Sequence, residues 1–396
     1  MKEDICYGVI GAGRAAELHL NALDRYAGLT VRRKIIMAPR EEQVKPMSER
    51  YRFEIWSTDV EEVLQDEELD VIDICTPPYV HDNLIRRILE SGKHVICEKP
   101  LYGYFGREGD QTPIGCGVQK SVMYERLNQS LDELRDVVEK SGKQFMYAEN
   151  FIYAPAIEKA REIVQTKRSK ILFMKGEESL KGSSSKVAGE WDKTGGGTFI
   201  RTGAHPLSAI LWLKKKEAEA RGEMIAVRSV LADMAQITPQ LSEYEHRHIA
   251  ACPNDVEDFG TAIIEFSDKT RAVVMATDTL LGGSKNYVEL YCNDATIYCK
   301  LTLADLMATY FLDEDRIEDV YISEMLPSKL GWNHPFVEDE FIRGYTGEMK
   351  DFMECVYYNR KPKSDFMLGY YSAKVIYAAY MSAELGKRVE LDNMIL

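Results

Sequence analysis

The chain has 396 residues, 45% hydrophobic and 29% charged, with a formal net charge of -14. That suits a soluble globular protein of about two domains. The acidic balance argues against a nucleic-acid partner, since phosphate binding needs basic patches. No run of about 20 apolar residues offers a membrane span. The opening MKEDICYGVIGAG passes from charge straight into a strand pattern without a signal peptide, so a cytoplasmic location is expected. The eight cysteines are scattered and form no CxxC pair, so neither a zinc knuckle nor a disulfide framework is expected.

ICYGVI, residues 5–10, reads as a buried strand, and GAGRAAELHLNAL as a glycine turn opening a helix. Gly11, Ala12, Gly13, Arg14, Ala15 and Ala16 make a GxGxxA in that context. Gly11 permits the tight turn, and Gly13 lets the backbone approach a pyrophosphate on the helix N-terminus. VRRKIIMA is the second strand. A free ribose 2′-hydroxyl calls for an acid at its end, but Met37 and Ala38 stand there, followed by Arg40. This tilts the expected cofactor from NAD toward NADP, with Glu41 or Glu42 as the competing source of an acid.

A helix and a short extended piece at Tyr51–Trp56 come next, then the helix VEEVLQDEEL. The strand DVIDICTPP ends in a proline turn, placing Thr76 and Pro77 at the cofactor's side. His81 opens the helix HDNLIRRILESG; it is grouped with the cofactor site, as a cap or structural residue rather than a catalyst. HVICEKP ends a further strand with Glu98 and Lys99, where ligands of open α/β sheets bind. Lys99 can donate to a hydroxyl oxygen or the nicotinamide ribose, and Glu98 alternatively pairs with an arginine. This βαβ alternation predicts a doubly wound parallel sheet.

Residues 102–125 are glycine-dotted and non-periodic, a long loop of the kind that serves as lid or interaction arm. A helix and the strand QFMYAEN close the first domain, 1–148; the second spans 149–396. That second part is rich in strands: ILFMKGEES, AVRSVLADM, FGTAIIEFSD, RAVVMATDT, NYVELYCND and ATIYCKL, with hairpin turns at SDKT and NDAT. GEMKDFMECVYYNR and GYYSAKVIYAAYMSAELG form a helical tail.

TGGGTFIRTGAHPLSAILWL, residues 194–213, reads as three glycines leading one helix. Arg201, His205 and Ser208 then share a face at i, i+4 and i+7. Glu149 and Asn150 end the boundary strand with Tyr153 nearby; they reach the nicotinamide or substrate, or serve packing and hinge duty. Trp191 is placed to stack on a sugar face. His246 and His248 as His-x-His on a strand would share a face, with Asp255 and Asp258 following. Their spacing matches no defined metal site, so no metal is expected.

GVIGAG, DICTPPYVH, HVICEKPL, YAENFIYAP, GGGTFIRTGAHP and SAELGKRVEL together resemble the Gfo/Idh/MocA oxidoreductases over nearly the whole length. The resemblance implies an N-terminal Rossmann domain and a C-terminal α/β domain with a large, mostly antiparallel open sheet. Such sheets often make oligomer contacts, so a homodimer or homotetramer is expected. It further implies hydride transfer between NAD or NADP and a sugar, glycoside or cyclitol. Lys99 matches the family's active-site lysine and His205 its usual acid/base. Two departures stand out. The family often has Asp four residues before that histidine and three after; here those positions are Arg201 and Ser208. The insertion 102–125 is also long.

A cation beside His205 would keep it neutral, and an arginine binds carboxylate in a forked geometry. An acidic or multiply oxygenated substrate is therefore expected, unless Arg201 pairs with a local carboxylate. Two rival functions remain: a redox-neutral glycoside-cleaving enzyme with tightly held NAD, and a non-catalytic cofactor-binding sensor. Lys99 and His205 together argue against the sensor.

Overall fold

The computed structural model describes residues 4–183, 185–302, 309–314, 320, 322, 328–335, 339–392 and 394–396. Its first sheet holds β1 (Asp4–Ile10), β2 (Thr30–Met37), β3 (Ile55–Ser57), β4 (Val71–Ile74), β5 (His94–Glu98) and β6 (Phe145–Ala148). Their order is β3-β2-β1-β4-β5-β6, and every pairing is parallel. β4 is buried throughout, as a strand covered by helices on both faces must be. The order reverses between β1 and β4, which opens a crevice beyond their carboxyl ends.

The second sheet contains β7 (Ile171–Ser179), β8 (Val227–Ala235), β9 (Phe259–Phe266), β10 (Arg271–Thr277), β11 (Lys285–Cys292) and β12 (Thr296–Lys300). β13 (Thr309–Phe311) and β14 (Gly331–Asn333) form a separate hairpin, and β15 (Val389–Glu390) completes the large sheet. That sheet runs β12-β11-β7-β10-β9-β8-β15, antiparallel except where β7 meets β10. Alternation sorts its faces. Met174, Ala262, Val274, Val288 and Leu290 point inward and are buried; Phe173, Ile263, Val273, Met275 and Tyr291 lie on the open face. Helix Ala204–Arg221 packs on the inner face of β7. Gly176 permits the close approach, since a Cβ there would come within 2.8 Å of Pro206. This contact sets His205 beside β7.

Two expected elements differ. The loop after Lys99 is shorter than 102–125, because a helix already spans Lys120–Ser141, burying Met123, Leu127, Leu131, Leu134 and Val138 along one stripe. The stretch 194–213 is not one helix. Trp191–Thr194 ends at Gly195 and Gly196, whose φ values are 74° and 145°. Thr198–Arg201 is a separate turn, and Ala204–Arg221 starts after it. The break has a distant cause: the buried Glu257 carboxylate accepts from Gly197 N at 2.8 Å and Phe199 N at 2.9 Å, capping a new helix start.

The tail returns to the first unit. Helix Tyr345–Tyr358 packs on helix Arg14–Asp24, and helix Phe366–Leu385 on Lys120–Ser141 and β8. Tyr147 N donates to Ser364 O at 3.0 Å, extending β6 with residues from beyond the expected boundary. Among the described residues no helix is long and apolar enough to cross a membrane.

Candidate active site

A cleft of about 660 Å³ lies where the two units and the returning tail meet. Arg14, Thr76, Glu98 and Lys99 come from the first unit, Glu178, Arg201 and His205 from the second, and Arg343 and Tyr345 from the tail.

At one end lies the β1 turn. Gly11 has φ +117°, and a Cβ on it would fall 2.3 Å from Cys75 O, so only glycine fits. Gly13 faces open space and leads helix Arg14–Asp24 without a side-chain cap. The helix therefore presents bare N–H groups to an open surface, which is what a pyrophosphate requires. Ala15 lines the cleft there. Arg14 pairs with Glu17 at 2.7 Å. Arg40 follows the end of β2, exposed, 4.0 Å from Glu42. Pro78, rather than Pro77, reaches the cleft wall.

His81 does not face the cofactor region. It is buried, with Nδ1 3.1 Å from Pro100 O and Nε2 3.0 Å from Thr76 O. It ties together the loops after β4 and β5, and burial holds it below the ordinary histidine range. Glu98 finds a histidine where an arginine was the competing expectation: its Oε1 is 3.1 Å from His19 Nε2, and its Oε2 accepts from Lys99 N at 2.9 Å.

At the other end, Lys99 Nζ donates to the main-chain oxygen of Arg201 at 2.6 Å, spanning the two units. His205 is buried, stacked on Phe151 at 4.8 Å and 17°, with Nδ1 2.7 Å from Glu149 Oε1. Burial, then Lys99 and Arg343, push His205 well below the ordinary histidine range. Burial also holds the Glu149 carboxyl well above its usual range, so neither member of the pair charges readily. The Nε2 edge faces Glu178, whose Oε2 is 3.9 Å away.

The structure revises several sequence expectations. Arg201 does not share a helical face with His205, because the helix breaks at Thr202 and Gly203. Its guanidinium pairs with buried Asp278, and the cations acting on His205 are Lys99 and Arg343. Ser208 bonds Ser372 at 2.8 Å, away from the cleft. Glu149 holds His205 instead of reaching for a substrate. Asn150 donates to Arg343 O at 2.7 Å, and the Tyr153 hydroxyl donates to Asp351 at 2.8 Å. Both are buried outside the cleft.

Trp191 is buried too: its indole donates to Tyr104 O at 3.0 Å, and Lys120 Nζ lies 4.5 Å over the ring. It supports the loop after Lys99 and presents no face to the cleft. His246 ends a short helix, not a strand, with Nε2 2.6 Å from Ala251 O. Asp255 accepts from Gly115 N and Trp191 N, and Asp258 from Ile237 N and Thr238 N, so these acids fasten backbone.

Glu178, Arg343 and Tyr345 were not foreseen. Two consecutive acids, Glu177 and Glu178, near the end of a strand that opens on four apolar residues were the available signal for the first. The tail carries no such signal for the other two.

Residues 5–104 match a family model described as an oxidoreductase family with an NAD-binding Rossmann fold, and residues 174–298 one described as the GFO/IDH/MocA C-terminal domain. Over 421 aligned residues the chain is 23% identical to a levoglucosan dehydrogenase of Pseudarthrobacter phenanthrenivorans, covering 99% of each. It is 33% identical to YrbE, an uncharacterised oxidoreductase of Bacillus subtilis, over 26% of this chain and 29% of that relative. Its fold is similar to that of GenD2 from gentamicin A biosynthesis, solved with NAD: TM-score 0.79 and 20% identity, covering 99% of this chain and 97% of the other.

Proposed function

We propose that this chain, which belongs to the Gfo/Idh/MocA oxidoreductase family, oxidises a hydroxyl-bearing carbon of a neutral sugar, glycoside or cyclitol, with His205 as base and Lys99 assisting. The chain is an NAD-binding oxidoreductase of that family. The observation that carries the rest is the state of His205: Nδ1 is committed to Glu149 at 2.7 Å while Nε2 faces the cleft.

The bare helix start at Gly13, with Gly11, Ala12, Arg14, Ala15 and Thr76 around it, fits a dinucleotide. A nicotinamide bound there supplies the hydride acceptor. The protein's share is the proton. A neutral imidazole accepts it at Nε2 as the hydroxyl is oxidised, while the contact between Nδ1 and Glu149 keeps that edge of the ring turned to the cleft. Lys99 donates to the substrate oxygen, favouring its deprotonated form. The idea of an acidic substrate loses its carrier, since Arg201 is paired with Asp278.

The cofactor lean toward NADP rests on Arg40 and the missing acid at the end of β2. Arg40→Ala should weaken NADP binding about tenfold and leave NAD binding unchanged, the effect of one charged hydrogen bond. Unchanged NADP affinity ends the lean. A homodimer or homotetramer is supported by the open sheet face carrying Phe173, Ile263 and Tyr291, and by exposed Tyr298. A cytoplasmic location is supported by eight free cysteines.

The main test is reduced-nicotinamide absorbance on a panel of polyols and glycosides. Net reduction is expected, and His205→Asn should lower turnover by about 10²–10⁴-fold. Glycoside cleavage without net reduction would favour the redox-neutral reading, and cofactor binding without turnover the sensor.

A further inference from the structure

We infer that Glu257 is a positioning residue for the reaction: its carboxylate fixes the turn whose last carbonyl, that of Arg201, directs the Lys99 ammonium. This rests on the reading above, in which Lys99 assists at the substrate oxygen. Glu257 stands two residues before β9, which lies between β10 and β8 in the large sheet. A residue at the root of a central strand is a firmer base than one on a loop.

The side chain is buried, and both of its oxygens are engaged. Oε2 accepts from Gly197 N at 2.8 Å, and Oε1 from Phe199 N at 2.9 Å and from the Tyr380 hydroxyl at 2.8 Å. The Glu257 main-chain oxygen accepts from Thr198 N at 3.0 Å. Three successive amides therefore end on one residue. Only glycine at 197 permits this approach, since a Cβ there would collide with the Glu257 main-chain oxygen and fall 2.7 Å from its carboxyl carbon.

The segment held in this way is the turn Thr198–Arg201. Four residues cannot sustain a helical turn by their own hydrogen bonds, so its place comes from its anchors. Buried Asp278 grips side chains: it accepts from Thr198 Oγ1 at 3.1 Å and pairs with the Arg201 guanidinium. Glu257 grips the main chain, which carries the carbonyl. That carbonyl, Arg201 O, accepts from Lys99 Nζ at 2.6 Å. An ammonium has three donors, and committing one to a fixed oxygen sets the directions of the other two. Lys99, Arg201 and His205 line the same cleft, so a displaced turn moves the ammonium relative to the base. Glutamine at 257 would set an amide N–H against one of the backbone N–H groups, breaking half of the clamp.

The experiment is a double-mutant cycle between Glu257→Gln and Lys99→Ala. It is run at about pH 8, where the Glu257 carboxyl, pushed up to about 7 by burial, is ionised. Turnover of the polyol most active with the wild type is expressed per NADH-binding site, so a variant that folds in part is scored on its folded fraction. Glu257→Gln alone should lower kcat about 10- to 100-fold, the cost of a small misplacement, with KM changed less than about threefold and NADH affinity unaltered. Lys99→Ala should lower kcat about 10²–10³-fold. Adding Glu257→Gln to Lys99→Ala should then change kcat by less than about twofold, because the group it acts through is gone. Gly197→Ala, which displaces the turn with Glu257 intact, should repeat both results. If Glu257→Gln costs the same factor with and without Lys99, or costs nothing, the assignment of Glu257 is wrong while the reading of the reaction stands. If Lys99→Ala itself leaves turnover unchanged, the role of Lys99 falls, and this inference with it.

Discussion

His19 and His205 have closely matched surroundings and titrate in opposite directions. Each is buried on a helix, and each sets Nδ1 2.7 Å from a carboxylate oxygen, Asp73 for His19 and Glu149 for His205. Burial pushes both downward. Around His19, Asp73 and Cys75 outweigh burial and lift it well above the ordinary range. Glu98 lies 3.1 Å and Glu348 3.9 Å from its Nε2. Around His205, Lys99 and Arg343 act in the same direction as burial. Glu149 does not offset them, because its own buried carboxyl resists ionisation. The charges beyond the first hydrogen bond decide whether a buried histidine is a fixed cation or a poised base. His19, enclosed by acids on both edges, serves the fold; His205, open at Nε2, serves the cleft.

Removing each ring should separate these roles. His19→Leu strips Asp73 of its countercharge and should cost about 3–5 kcal/mol of stability, as breaking a buried ion pair does. His205→Leu leaves a neutral carboxyl behind and should cost about 1–3 kcal/mol. Urea unfolding of both variants decides the matter; equal losses would erase the distinction.

The pH dependence of stability should split the same way. His19 has a folded pKa raised above its unfolded value of about 6.5. Its contribution is complete below that value and fades as pH rises through the folded one. His205 is depressed, so its unfolded form takes up protons first and stability falls as pH drops below about 6.5. Melting temperature against pH should lose part of its alkaline decline in His19→Leu and part of its acid decline in His205→Asn. Parallel curves would contradict the assignment.

A smaller effect is expected from Glu149→Gln, which keeps an acceptor for Nδ1–H but cannot take up negative charge. Turnover should fall no more than about tenfold, and the acid limb of kcat/KM should stay in place, because burial already holds the Glu149 carboxyl neutral. A limb displaced to lower pH would show that Glu149 is ionised beside His205.

Much of the architecture was legible because it is local. The GxGxxA after ICYGVI, the Glu98-Lys99-Pro100 strand end and the alternating strands of the second half each follow from short-range pattern. What escaped depends on distant partners. Asp278 lies 77 residues beyond Arg201, and nothing near Arg201 announces it. The split of 194–213 comes from the Glu257 carboxylate capturing Gly197 and Phe199. Trp191 and Tyr153 show in sequence only that they are large and amphipathic, not that Tyr104 O and Asp351 await them. The strand expected around His246 did have a local warning: Ser242 and Glu245 form a capping box, three residues apart, that marks a helix start.

The returning tail has a consequence for how the protein is made. Glu348 belongs to the surroundings of His19, and Arg343 and Tyr345 wall the cleft, yet all three are translated after β7 to β12 of the second sheet and the β13–β14 hairpin. The dinucleotide fold therefore leaves the ribosome with one flank of its helix Arg14–Asp24 still bare until helix Tyr345–Tyr358 follows. Cutting the gene at the apparent domain boundary would yield a first half that lacks its covering helix, rather than two independent modules.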